Sequence, residues 1–223
     1  TLAVVDQRCM GTCSWSNVEI SNVTNGISLS GSGNHSFTSL DITATERGLE
    51  GTGDGNIHLG STNLTAGMKG IEMRDPSSTF DQVSITMTSH TSTAVDVLDG
   101  IHQWTSVTAS KGYLASDLSS IGLKAWYTSL DIDALSLVHF ANGIVADHSD
   151  ISSQSISVQD GKGVGIDLEQ SSVRTDTLNT RAYPEGVTLT QSSQLHVSDW
   201  TAATHTSPLS ISTYSTAIIR DFQ

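Results

Sequence analysis

The stretch Phe37-Thr38-Ser39-Leu40-Asp41-Ile42-Thr43 decides the fold. From Leu40 onward apolar and polar residues alternate with period two. Leu40 and Ile42 therefore point to one side and Asp41 and Thr43 to the other, as in a strand with one buried face. The motif returns as Phe80-Asp81-Gln82-Val83-Ser84-Ile85-Thr86 and as Tyr127-Thr128-Ser129-Leu130-Asp131-Ile132-Asp133. Working outward from it, an apolar residue followed five positions later by another recurs ten times. The starts are Trp15, Phe37, Leu59, Phe80, Trp104, Tyr127, Ile151, Val173, Leu195 and Ala217, at intervals of 21 to 24 residues. A fixed period in this range signals a solenoid, whose units bury their apolar faces only by stacking on one another.

A second, shorter strand follows in each repeat. It reads Gly26-Ile27-Ser28-Leu29, Gly70-Ile71-Glu72-Met73, Ala94-Val95-Asp96-Val97 and Gly165-Ile166-Asp167-Leu168. Glycine ahead of the apolar residue suits a tight corner. Polar clusters such as Gln170-Ser171-Ser172 lead into the next repeat. Helical periodicity is missing, and so are the regular hairpin signals of an antiparallel sandwich. The expectation is an all-β, single-stranded parallel β-helix (a β-solenoid) of about nine coils over residues 15–223. Residues 1–14 are expected to form a partial coil or N-terminal cap, with Leu2-Ala3-Val4-Val5 paired onto the stack. Rungs spaced about 4.8 Å apart give a rod roughly 43 Å long. The coil that begins at Trp104 is irregular. Its second strand falls at Leu114, at Leu118 or at Ile121-Gly122-Leu123.

Composition narrows the partners. Ten Lys and Arg stand against 23 Asp and Glu, for a net charge of −13. That balance argues against nucleic acid and anionic membranes. No run approaches the 18 or so apolar residues needed for a transmembrane segment. Thr1 reads as a processed start, since no initiator Met or signal peptide precedes it. Cys9 and Cys13 lie just ahead of the first full coil, and a disulfide between them suits an oxidising compartment. Their spacing, with no nearby His, makes a poor zinc site.

On its coil motifs the chain resembles the right-handed parallel β-helix proteins of the pectate-lyase-like superfamily, which includes many secreted and cell-surface repeat proteins. The resemblance covers nearly the whole chain and implies a right-handed coil. It is specific for architecture and not for activity. Lyases of this family use a basic residue beside acid-bound calcium. Here Lys111, Arg174 and Arg181 fall at different coil positions, so that site does not map onto this chain. Related glycoside hydrolases carry outward Asp residues, for which Asp131 and Asp133 are the candidates. Two apart on a strand, they would be separated by about 6.5–7 Å, compatible with paired carboxylates. An ordinary solvated acidic face explains them equally simply.

Two further groupings are candidates. Glu50, Glu72, Asp96 and Asp167 share one outward place in the second strand. Three of them belong to successive coils, so like charges within about 5–7 Å would repel and could take up calcium. Asp147-His148-Ser149-Asp150 is the densest polar cluster, and turn chemistry alone accounts for such a composition. No phosphate loop, dinucleotide fingerprint or nucleophile elbow is present.

The sequence thus points to a non-catalytic extracellular or cell-surface β-helix acting as a stalk, adhesin segment or self-assembling unit. No cofactor is required, and calcium is the one candidate ion. Its candidate partners are a glycan and a second copy docked head to tail: Ala217-Ile218-Ile219-Arg220-Asp221-Phe222 restarts the coil motif, which implies either such docking or continuation of the stack in a longer β-helix. The alternative is a polysaccharide-processing enzyme, a lyase or glycoside hydrolase.

Overall fold

The computed structural model describes residues 5–8, 10–112 and 119–223. Among these residues there are nineteen strands and no helix, and all the strands join one parallel sheet wound into a solenoid of about nine turns. The coil of Ser129–Val138 and Asn142–Asp147 shows the plan. Its long strand alternates exposed and buried residues until Asp133 and Ala134, which are both exposed, and then resumes alternation out of phase. That break in parity marks a bend. Each coil therefore has a first face (Ser129–Ile132 here), a second face (Ala134–Val138) and a third face (Asn142–Asp147). Every face pairs in parallel with the same face of the coils above and below.

The core is the column of inward side chains. Phe80 stacks on Trp104 with ring centroids 4.8 Å apart, and Trp15 stacks on Phe37 at 4.9 Å. Leu59, Ile132, Leu195 and Trp200 are buried in the same continuous cluster. Each large apolar side chain so buried contributes about 1.5–3 kcal/mol, which lets a thin column hold together a chain that is only 36% apolar. At the corner ahead of the third face the backbones close in. A Cβ on Gly143 would lie 2.3 Å from the Gly165 carbonyl oxygen, which explains why glycine precedes the apolar residue there.

The expected register holds for the first coils and then fails. Phe37, Leu59, Phe80 and Trp104 pair in one column. The next member is Ile132 and not Tyr127. From Trp104 to Ile132 the coil has 28 residues, and the bond from His139 Nδ1–H to the Lys111 carbonyl, 3.0 Å, spans the same interval. The extra length lies in residues 112–120, of which 113–118 fall outside the described residues. Leu114 and Leu118 belong to that stretch. The short strand of this coil is Ile121–Trp126, one of the three expected places. Tyr127 is 54% exposed and has φ +51°. It sits on a corner and not in the core, so its likeness to the Phe37 motif is coincidental.

That corner carries a second device. Tyr127, His148 and Gln170 adopt left-handed φ on successive coils, and their N–H groups donate to the carbonyls of Asp147, Glu169 and Thr190. The residue that follows each is a buried hydroxyl. Thr128 N–H donates to Ser149 Oγ (3.2 Å), Ser149 N–H to Ser171 Oγ (3.0 Å), Ser171 N–H to Ser193 Oγ (3.3 Å) and Ser193 N–H to Ser215 Oγ (3.1 Å). Buried amides at a corner cannot join a strand ladder, so side-chain oxygens satisfy them instead.

At the N-terminal side, Val5–Arg8 pairs in parallel with Ile27–Ser30, and Thr12–Trp15 pairs with Asn34–Phe37. Cys13 lies in the second of these strands. Cys9, its expected disulfide partner, lies outside the described residues, as do Leu2, Ala3 and Val4.

Candidate functional site

On the first face, one outward column runs Gln103, Asp131, Ser152, Arg174, His196, Ile218 on consecutive coils. Two shallow depressions of about 330 Å³ each open along it and share Arg174. The first is lined by Ser129, Asp131, Asp150, Ser152, Ser172 and Arg174, with the backbone of Leu130 and Ile151 beneath. Arg174, Asp176, His196, Ser198, Ile218 and Arg220 line the second. Hydroxyls, carboxylates and guanidinium groups rim both, and neither has high walls.

The structure divides the expected Asp131–Asp133 pair. Asp131 belongs to the first-face ladder, whereas Asp133 falls at the bend, skipped by that ladder, and accepts a hydrogen bond from Gln154 Nε2 (2.9 Å). The carboxylate that shares a depression with Asp131 is Asp150, which accepts a hydrogen bond from Ser172 Oγ. Sequence reading named Asp150 in a turn cluster and Arg174 as a scattered basic residue, but did not bring them onto one face with His196 and Arg220. A signal for two of them was present, since Arg174 and His196 each directly follow a stacked apolar residue, Val173 and Leu195, 22 positions apart.

The acidic column is placed as expected on three rungs. Ser28, Glu50, Glu72 and Asp96 are consecutive on the third face. Lys124 and Val145 then separate Asp96 from Asp167, so the fourth carboxylate stands apart. The expected repulsion is relieved by cations. Lys69 Nζ donates to Glu72 Oε1 (3.2 Å) and to Asp96. Arg74 Nε donates to the same Glu72 oxygen (3.1 Å), and Arg47 pairs with Glu50 at 3.5 Å. Burial of Glu72 favours its neutral form, but the bonds from Arg74 and Lys69 outweigh it and hold the carboxyl below its usual range. Asp167 shifts the other way. Burial, then the nearby charges of Glu169 and Glu185, push its carboxyl up. Among the described residues no three His, Cys, Asp or Glu side chains gather closely enough to hold a metal.

The Asp147–Asp150 cluster disperses in the same way. His148 Nδ1–H donates to Asp147 Oδ1 (2.6 Å), its ring stacks on Tyr127 (4.7 Å), and Ser149 belongs to the buried hydroxyl column.

Two histidines, His102 buried and His205 part-buried, are tied to backbone carbonyls. His102 Nε2–H donates to the Asp99 carbonyl (3.0 Å), which leaves Nδ1 to accept from Ser78 Oγ (2.8 Å). Burial is the main cause pulling its pKa below the ordinary value of 6.5. His205 spans a corner, with Nδ1 2.8 Å from the Tyr183 carbonyl and Nε2 2.8 Å from that of Thr180. Neither ring faces a depression on the first face.

Comparison with protein-family models, with curated proteins and with solved structures gave no significant match.

Proposed function

We propose that this chain is a non-catalytic β-solenoid of the cell exterior, serving as a rigid stalk or adhesin segment akin to the non-enzymatic members of the pectate-lyase-like superfamily. The observation that carries the reading is the continuous first-face ladder. Column after column keeps one register from Ile132 to Ile219, and the depressions on it are shallow. Hydrolysis or elimination needs acid and base groups held around a substrate in a water-excluding cleft. Asp131 and Asp150 line an open surface, and Asp150 is engaged by Ser172. The lengthened coil adds its residues in the connection between Lys111 and Ile121, which comes between its second and third faces.

Self-assembly belongs to the same proposal. Ile211 and Phe222 of the last coil are about half exposed, and a second copy docked head to tail would cover them and extend the parallel sheet.

The test is incubation with a panel of neutral and acidic polysaccharides, read by reducing-end release and by absorbance of unsaturated products. No turnover is expected. Cleavage of any member, abolished by Asp131→Asn or Asp150→Asn, would establish the enzymatic alternative. Light scattering over a concentration series tests the assembly. Growth of elongated particles is expected, and a particle size independent of concentration removes self-assembly from the proposal.

A further inference from the structure

We propose that Arg174 and Arg220, with His196 between them, bind the oxyanion groups of a polyanionic glycan chain, whether sulfate esters or carboxylates. The inference deepens the adhesin reading above and rests on it.

Among the described side chains, the other Lys and Arg are committed to partners. Arg47, Lys69, Arg74 and Arg181 form ion pairs. Lys111 donates to the His90 carbonyl, and Lys124 lies over the Trp126 ring at 4.3 Å. Lys162 also has a partner. Arg174 and Arg220 have no ion pair, no side-chain hydrogen bond and no aromatic ring to lie over, although the chain carries 23 acidic residues. Both line one depression, together with His196. A planar guanidinium offers paired N–H donors that match carboxylate or sulfate oxygens, and it is weakly hydrated enough to exchange water for an anion.

The placement suits a chain of repeated charges. Arg174 and Ile218 are two rungs apart in one ladder, and Arg220 follows Ile218 by two residues. Along the solenoid axis the two guanidiniums are thus based about 9.6 Å apart. Charges on successive sugars of one chain can meet two donors based at that spacing. The surface is also built for sugar hydroxyls. Asp176 and Ser198 lie in the depression, and Asp176 pairs with neither arginine. Ser152 and Ser172 continue the hydroxyl lining into the neighbouring depression, where Asp131 and Asp150 close the anionic track by repulsion.

Isothermal titration at low ionic strength tests this with three probes: sulfated dextran oligomers, oligogalacturonate and unmodified dextran. Binding of at least one charged probe and of no neutral dextran is expected, and the two charged arms tell sulfate from carboxylate recognition. Arg174→Ala/Arg220→Ala should weaken binding by at least about tenfold. A control, Arg47→Ala/Arg181→Ala, removes the same charge from elsewhere and should bind like the parent. All these side chains are on the surface, so a circular-dichroism melt should show every variant folded. Failure of both charged probes, equal binding of neutral dextran, or equal loss in the control overturns the site while leaving the stalk reading intact. Binding accompanied by shortening of the chain supports the site and overturns the non-catalytic reading.

Discussion

The indole N–H of Trp104 donates to Ser78 Oγ across 2.9 Å, joining two coils through a side chain that is itself buried. Ser78 Oγ–H donates in turn to His102 Nδ1, and His102 Nε2–H donates to the Asp99 carbonyl, so the polar atoms of this group are matched. Ser78→Ala would strand the indole N–H and the imidazole lone pair together. We expect a loss of about 1–3 kcal/mol, read by chemical denaturation, with the aromatic stack otherwise unchanged. A midpoint equal to the parent's would show that water replaces the hydroxyl.

His102 also sets a pH dependence. Its folded pKa lies below 6.5 because burial disfavours the cation, and burial lowers that of His35 as well. The unfolded chain then binds more protons than the folded one once the pH drops below about 6.5. Stability is therefore complete above that value and declines as the medium acidifies through it. The slope between pH 7 and 5 should become shallower in His102→Gln. An unchanged slope would mean that other groups govern acid sensitivity.

Glu72 should behave oppositely to a calcium ligand. Its side chain is 5% exposed and its charge is met by Lys69 and Arg74. Both cations are partly exposed, at 26% and 46%, so solvent screening discounts the pair. Glu72→Ala should cost about 2 kcal/mol. Because the folded carboxyl titrates below its usual 4.5, this contribution is present above pH 4.5 and is lost as the pH falls through the lower folded value. Calcium or a chelator should leave the melting temperature unmoved at matched ionic strength. A rise of several degrees with calcium would reinstate the Glu50–Glu72–Asp96 column as a metal site.

The two candidate registers around Tyr127 make opposed forecasts. If Tyr127 filled the core, Tyr127→Asn would be ruinous. On the corner, Asn relieves a left-handed strain that bulky residues tolerate poorly, so the variant should be neutral or gain up to about 1 kcal/mol. Ile132→Asp, by contrast, puts a charge into the Trp104 column and should prevent folding. Parallel thermal melts of the two variants settle the register.

These residues show what could be read in advance. Side-chain direction on a strand depends only on parity. The true pairing places Ile151, Val173 and Leu195 in the column of His102 and Leu130, two residues from where the repeat motif puts them. A slip of two keeps every inward residue inward. The core and the number of coils were therefore legible while the vertical neighbours of the later coils were not. The lengthened coil hid the offset, because its extra residues carry no periodic signal. The candidate face suffered for the same reason, as vertical neighbours decide which charges meet. Asp131 was assigned a partner along its own strand, and the lining carboxylate turned out to be Asp150, one rung above.

The corner column of Thr128, Ser149, Ser171, Ser193 and Ser215 gives a further expectation. Ser171 both accepts from the Ser149 amide and donates to the Glu169 carbonyl at 2.7 Å. Ser171→Ala removes both bonds and should lower stability by about 1–3 kcal/mol. Exchange protection should fall most at the Ser149 amide. Uniform loss across all coils would instead indicate a global effect.

Parallel pairing between coils has a mechanical meaning as well. The ladder hydrogen bonds point along the long axis, so a pull on the two ends loads them in tension, one rung after another in series. The rod is then only as strong as its weakest step, and adding coils lengthens it without raising the force it survives. The coil from Trp104 to Ile132, where the third-face strand begins only after the inserted stretch, is where the ladder has the longest connection to span. A tether made this way would let out slack coil by coil from its weakest step and rewind when the load is released.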